Sequence, residues 1–137
     1  MALGQDYMGL GLPHLLAARL ANPPVLMTAY GTSSGSANQI AGTSYFVIAN
    51  SGTSSLKLPV VGGDQNGALL GDRYVIGNIT SASVAVYAAN NSLGSAVTFY
   101  TTGASTAGTT GVSVGVGSLV EFLPVTISTW YVSYGSA

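Results

Sequence analysis

From Thr43 onward, short apolar runs recur at strand length, and Gly, Asn, Asp, Ser or Pro punctuates the gaps between them. The runs cover residues 43–50 (TSYFVIAN), 55–59 (SLKLP), 73–78 (RYVIGN), 83–88 (SVAVYA), 96–101 (AVTFYT), 112–116, 118–127 and 129–134. Alternation of period two is clearest in two of them. Val84 and Val86 oppose Ala85 and Tyr87, and Val97 and Phe99 oppose Thr98 and Tyr100, as in strands with one buried face. Tyr74, Ile76, Val84, Val86, Val97, Phe99, Val120, Phe122 and Trp130 are the expected packing residues, in the core or at a trimer seam.

Evenly spaced short strands with turn signals between them predict an all-β, antiparallel β-sandwich, jelly-roll-like in first choice and a trimeric β-prism or intertwined fibre module in second. No exact internal repeat is visible, which disfavours a solenoid. In the last long run Val120 and Phe122 share one face, while Leu119, Glu121 and Leu123 share the other. Glu121 is expected either on the solvent face or at a subunit seam, where it would need a partner such as Arg73 or a backbone N–H.

The first segment has a different pattern. Pro13 suits the first turn of a helix, Leu12, Leu15, Leu16 and Leu20 fall on one helical stripe, and Asn22-Pro23-Pro24 ends it. About two turns do not make a helix stable by itself, so this arm, helical or extended, needs a surface to lie on. Residues 31–42 (GTSSGSANQIAG) are small and polar and predict a loop or linker. The expected organisation is therefore an arm and linker over 1–42 and a sandwich over 43–137.

Composition narrows the function. Charged residues make up 5% of the chain and the net charge is −1, with Arg19, Lys57 and Arg73 as the cations. That leaves no basic footprint for nucleic acid. Hydrophobic residues reach 47%, yet no run approaches the about 18 to 20 apolar residues of a membrane span. A basic stretch before an apolar core is missing at the N-terminus, so a secretory signal is not expected. The absence of cysteine removes disulfides and thiolate chemistry.

Candidate chemistry is sparse. His14 lies in the arm, and no GxSxG elbow accompanies it. Asp6, Asp64, Asp72 and Glu121 do not form an evident pair: Asp64 sits in a Gly/Asn turn, and Asp72 precedes a strand, placed to cap a turn or pair with Arg73. One Asp in GGDQNG (62–67) is too few for calcium. GVSVGVG (111–117) is expected to be a glycine-kinked edge strand and not a phosphate loop. Asn78 and Asn90 begin glycosylation-like triplets but are expected as turn or strand-end residues. Trp130, Tyr131 and Tyr134 could form an aromatic platform for sugars or pack in a core or interface. No catalytic, metal or cofactor site is expected, and the chain is not expected to be an enzyme.

In SLKLP (55–59), GDRYVIGN (71–78), VAVY (84–87), GSLVEF (117–122) and STWYV (128–132) the chain resembles a module of tailed-bacteriophage capsid decoration and head-fibre proteins. The resemblance covers about residues 43–134. It implies a non-enzymatic β-sandwich that forms homotrimers on the virion, made in the bacterial host cytoplasm. Residues 61–70 are longer and more apolar than the turn found there in that module, and the arm has no counterpart. The resulting expectation is a decoration (cement) protein on the capsid surface whose arm residues Leu12, His14, Leu15, Leu16, Arg19 and Leu20 anchor it to the major capsid protein. No nucleic acid or membrane is expected as a partner. The alternatives are a lectin-like fibre or receptor-binding module, and a subunit that builds a tube or lattice by itself.

Overall fold

The strand-length runs of the sequence become strands in the computed structural model, which describes residues 24–52, 54–62 and 67–134. In chain order these are β1 (Val25–Ala29), β2 (Asn38–Gln39), β3 (Phe46–Gly52), β4 (Ser55–Leu58), β5 (Tyr74–Asn78), β6 (Val84–Ala88), β7 (Thr98–Thr101), β8 (Ala104–Ala107), β9 (Val112–Val114), β10 (Leu119–Thr126) and β11 (Thr129–Tyr134). They form a seven-stranded sheet, ordered β1-β3-β5-β10-β11-β7-β8, and a four-stranded sheet, ordered β2-β4-β6-β9. The inward side chains of both sheets meet in a single apolar cluster, so the architecture is an all-β, sandwich-like pair of layers.

Strand direction departs from the expected antiparallel arrangement. The first six strands alternate between the sheets, and each lies parallel to the strand two before it: β1, β3 and β5 in the large sheet, β2, β4 and β6 in the small one. The β7–β11 pair is parallel as well. The β5–β10, β10–β11, β7–β8 and β6–β9 pairs are antiparallel. A jelly roll requires antiparallel pairing throughout, and these sheets are mixed. The physical reason is that period-two burial reports which face is covered, whatever the direction of the neighbouring strand. Crossing between layers lets a chain lay down parallel neighbours without long helical crossovers.

The boundary drawn at residue 42 also moves. Residues 25–42, read from sequence as arm and linker, belong to the folded body: β1 pairs with β3, β2 pairs with β4, and Ala29, Ala37 and Ile40 are buried. The small, polar stretch between β1 and β2 is a turn closed on Ser36, whose hydroxyl accepts the N–H groups of Thr32 and Ser33. Ser55 fixes it from β4 by donating its hydroxyl to the carbonyls of Tyr30 and Gly31. Leu12, His14, Leu15, Leu16, Arg19 and Leu20 lie outside the described residues, as do Asp6 and Asp64.

All nine expected packing residues, Tyr74, Ile76, Val84, Val86, Val97, Phe99, Val120, Phe122 and Trp130, are buried within this one chain. Those of the large sheet meet Val84 and Val86 of β6, Leu56 and Leu58 of β4 and Val112 and Val114 of β9 in one cluster between the layers. Phe99 and Phe122 pack edge to face at 5.8 Å, and Tyr74 and Trp130 at 5.6 Å. Each such side chain contributes about 1.5–3 kcal/mol through burial. Because they fill the intrachain core, they are not available to form a seam between copies.

One polar residue joins the layers. Asn78, at the end of β5, is buried, and its Nδ2 donates to the carbonyl of Ala82 at 2.8 Å and to that of Val114 in the opposite sheet at 2.9 Å. Its Oδ1 accepts the N–H and the hydroxyl of Thr80 at 2.9 and 2.7 Å. The amide is thus fully used, as a buried polar group requires. Asn78→Ala should lower the unfolding free energy by about 2–4 kcal/mol, because the Val114 carbonyl loses its side-chain donor and the buried N–H of Thr80 loses its acceptor. A urea titration, with the midpoint shifted and the slope unchanged, checks this.

Candidate interaction surface

Apart from one ion pair, the acidic and basic side chains of the described residues do not converge. Asp72 is buried and caps a turn: its Oδ2 accepts the N–H of Leu69 at 3.1 Å, while its own N–H donates to the Leu69 carbonyl at 3.1 Å. Lys57 lies in β4, half-buried, on the opposite layer from Arg73 and Glu121. Among the described residues no three His, Cys, Asp or Glu side chains gather as a metal site would need. Asn78 is the buried layer-joining residue, and Asn90 is an exposed turn residue whose Nδ2 donates to Gly94. Neighbouring Asn91 holds the same turn by accepting the N–H groups of Leu93 and Ser95 at 3.0 Å each. Residues 112–114 form the outermost strand of the four-stranded sheet, as the glycine-flanked run predicted.

The outer face of the seven-stranded sheet is where the structure gathers exposed apolar side chains. Alternation in β3, β5 and β10 sends Val47, Ala49, Tyr74, Ile76, Val120 and Phe122 inward, so Phe46, Ile48, Val75, Leu119, Glu121 and Leu123 point out. Register aligns them in rows across the strands. One row is Leu26, Ile48, Gly77 and Leu119; the next is Phe46, Val75, Glu121 and Ser133; the third is Leu123, Tyr131, Tyr100 and Ser105. Leu26 is 62% exposed, Leu119 49%, Tyr131 46% and Tyr100 41%, so the face has no covering layer among the described residues. Contiguous exposed apolar surface makes this face the candidate for an interaction.

Gly77 shapes the middle of the first row. A Cβ there would sit 2.7 Å from Leu119 Cδ2 and 2.8 Å from Ile48 Cδ1, so the bare backbone lets these two side chains close over it. The aromatic pair stands at the other end: Tyr100 and Tyr131 stack with centroids 6.1 Å apart and planes 30° from parallel. Trp130, grouped with Tyr131 and Tyr134 in the sequence as a candidate sugar platform, points inward and is fully buried, whereas both tyrosines are exposed.

The charges on this face belong to one ion pair. Arg73 Nη1 lies 3.3 Å from Glu121 Oε1, their side chains 68% and 35% exposed. Glu121 therefore occupies the apolar face with the partner named for it from sequence, inside one chain. The sequence reading located Leu119, Glu121 and Leu123 on a common face but missed Leu26, Phe46 and Ile48, because only strand pairing brings these alongside.

No protein-family model, curated protein or solved structure matches the chain.

An ion pair this exposed contributes little. Arg73→Gln should change the unfolding free energy by less than about 1 kcal/mol at low salt, and the difference should vanish near 1 M salt, where the screening length is about 3 Å. Paired denaturation curves at the two ionic strengths check both statements.

Proposed function

We propose that this protein is a non-enzymatic structural subunit of a virion, a decoration protein that binds the outside of a phage head as a homotrimer and reinforces it. The observation that carries the reading is the pairing of an almost uncharged surface with a broad apolar sheet face, where the acidic and basic side chains of the described residues are a turn cap, a surface ion pair and a lysine on the other sheet. Such a surface is suited to permanent contact. The virion setting and the trimer are what the resemblance of the ordered motifs to those of phage decoration and head-fibre proteins implies. Under this reading the major capsid protein is the partner, and the segment with Leu12, His14, Leu15, Leu16, Arg19 and Leu20 is the anchor. Burying its leucine stripe in a groove of the shell would contribute about 25 cal/mol per Å².

Deleting residues 1–21 should abolish binding to purified heads and leave the β-structure intact by circular dichroism. Unchanged occupancy of the heads by the truncated protein would refute the anchor.

A second reading, a glycan-binding fibre module, draws on the stacked and exposed Tyr100–Tyr131 pair, since aromatic faces are suited to sugar rings. In that case Tyr131→Ala would reduce adsorption to host cells and leave head occupancy unchanged; in the decoration reading adsorption does not depend on Tyr131.

A further inference from the structure

We infer that the outer face of the seven-stranded sheet is the seam between copies of this chain. The inference rests on the self-association contained in the decoration reading and is independent of where on a virion the assembly sits.

The first argument is the strand pattern. Strands covered on one face alternate between apolar and polar residues, whereas strands covered on both faces read as nearly continuous apolar runs. Residues 45–49 are YFVIA and residues 119–125 are LVEFLPV, with Glu121 as the one charge between them. In both, the inward set already fills the core: Val47 and Ala49 from β3, Val120 and Phe122 from β10. The outward set, Phe46, Ile48, Leu119 and Leu123, is apolar too, interrupted by Glu121 and, at the end of β3, by Asn50. β3 and β10 thus carry the composition of strands buried on both faces, while the described chain covers only one.

The second argument is size. The three rows cross four strands each and together occupy about 19 by 20 Å, or about 400 Å² of planar face, so two such faces bury about 800 Å² together before the relief of the side chains is counted. That approaches the lower bound for a specific interface. The leucine-bearing segment over residues 13–21, drawn as the helix its spacing predicts, is about 14 Å long and about 10 Å wide and would cover about a third of the face. A second sheet matches the extent, and face-to-face packing at about 10 Å is the ordinary way for two sheets to cover each other.

The third argument is charge. Arg73 and Glu121 neutralise each other within the chain, so the face offers a foreign partner no net charge to recognise. A copy of the same face needs none: leucines and tyrosines are self-complementary, and interface cores are depleted of charge and enriched in aromatic residues.

The test combines sedimentation velocity of the full chain with cross-linking through introduced cysteines, which the cysteine-free sequence makes unambiguous. The wild-type chain should sediment at a multiple of 13.7 kDa: two copies where the faces pack in pairs, three where three faces close around one axis as the homotrimer requires. The double variant Leu119→Lys, Tyr131→Lys alters two exposed positions and should fall to 13.7 kDa with its circular dichroism unchanged. With a short bis-maleimide, Tyr131→Cys should give roughly tenfold more covalent pairs than Ser113→Cys, which lies on the outer face of the other sheet. If the lysine variant does not fold, the cysteine comparison decides alone.

A wild-type chain that stays at 13.7 kDa at every concentration overturns the inference. Slow alkylation of the Tyr131→Cys thiol would then assign the face to the N-terminal segment, and fast alkylation would leave it to a foreign partner. Equal cross-linking at the two positions overturns it as well. Loss of head binding with self-association intact would instead sink the decoration reading and leave the seam standing.

Discussion

A single apolar layer between two sheets holds this protein together. No disulfide crosses it, the described ion pair is exposed, and the chain has too few charges for an electrostatic network. Trp130, Tyr74, Phe99 and Phe122 from the large sheet therefore pack against Leu56, Leu58, Val84 and Val86 of the small one, and their mutual exclusion of water is the main favourable term. Alternation of the chain between the layers ties the sheets together covalently at each step from β1 to β6. Sliding one sheet over the other would then strain several connections at once.

Within that layer, polar groups serve to define geometry. Asn78 links β5 to the carbonyl of Val114 in the opposite sheet, and Ser55 links β4 to the turn after β1. The first bond spans the two layers; the second ties the small sheet to the connection between them. Apolar packing tolerates small shifts, whereas a buried amide with every donor and acceptor engaged does not. Gly52 adds a steric constraint of the same kind: its φ is 74°, and a Cβ would fall 1.9 Å from the Ala29 carbonyl oxygen, so the end of β3 can approach β1 only with glycine there.

Strand existence was legible in the residues because alternation and turn punctuation are local properties. Eight runs correspond to β3–β7 and β9–β11, most within two residues at each end. Three strands escaped. β2 is two residues long, β8 (ASTA) carries the small polar composition of a turn, and β1 was absorbed into the arm because it follows Pro23-Pro24. Strand direction was not legible, since pairing is decided by residues far apart in the chain. The interaction surface was half visible for the same reason. Leu119, Glu121 and Leu123 share a face by simple alternation, and the Arg73 partner followed from the need to neutralise a carboxylate. Joining Leu26 and Ile48 to them required the register of β1, β3, β5 and β10.

Trp130 carries one more consequence. It is the chain's single tryptophan, fully buried, and its indole N–H has no hydrogen-bond acceptor among the described residues. The ring's burial outweighs that unmet donor, and a dry indole without a hydrogen-bonding partner emits at the short-wavelength end of its range. The folded protein therefore has its own optical gauge at the centre of the apolar layer. Water reaching that layer would shift the fluorescence to longer wavelength before the backbone need unravel, so loosening of the two sheets can be followed in the unmodified chain, free or assembled.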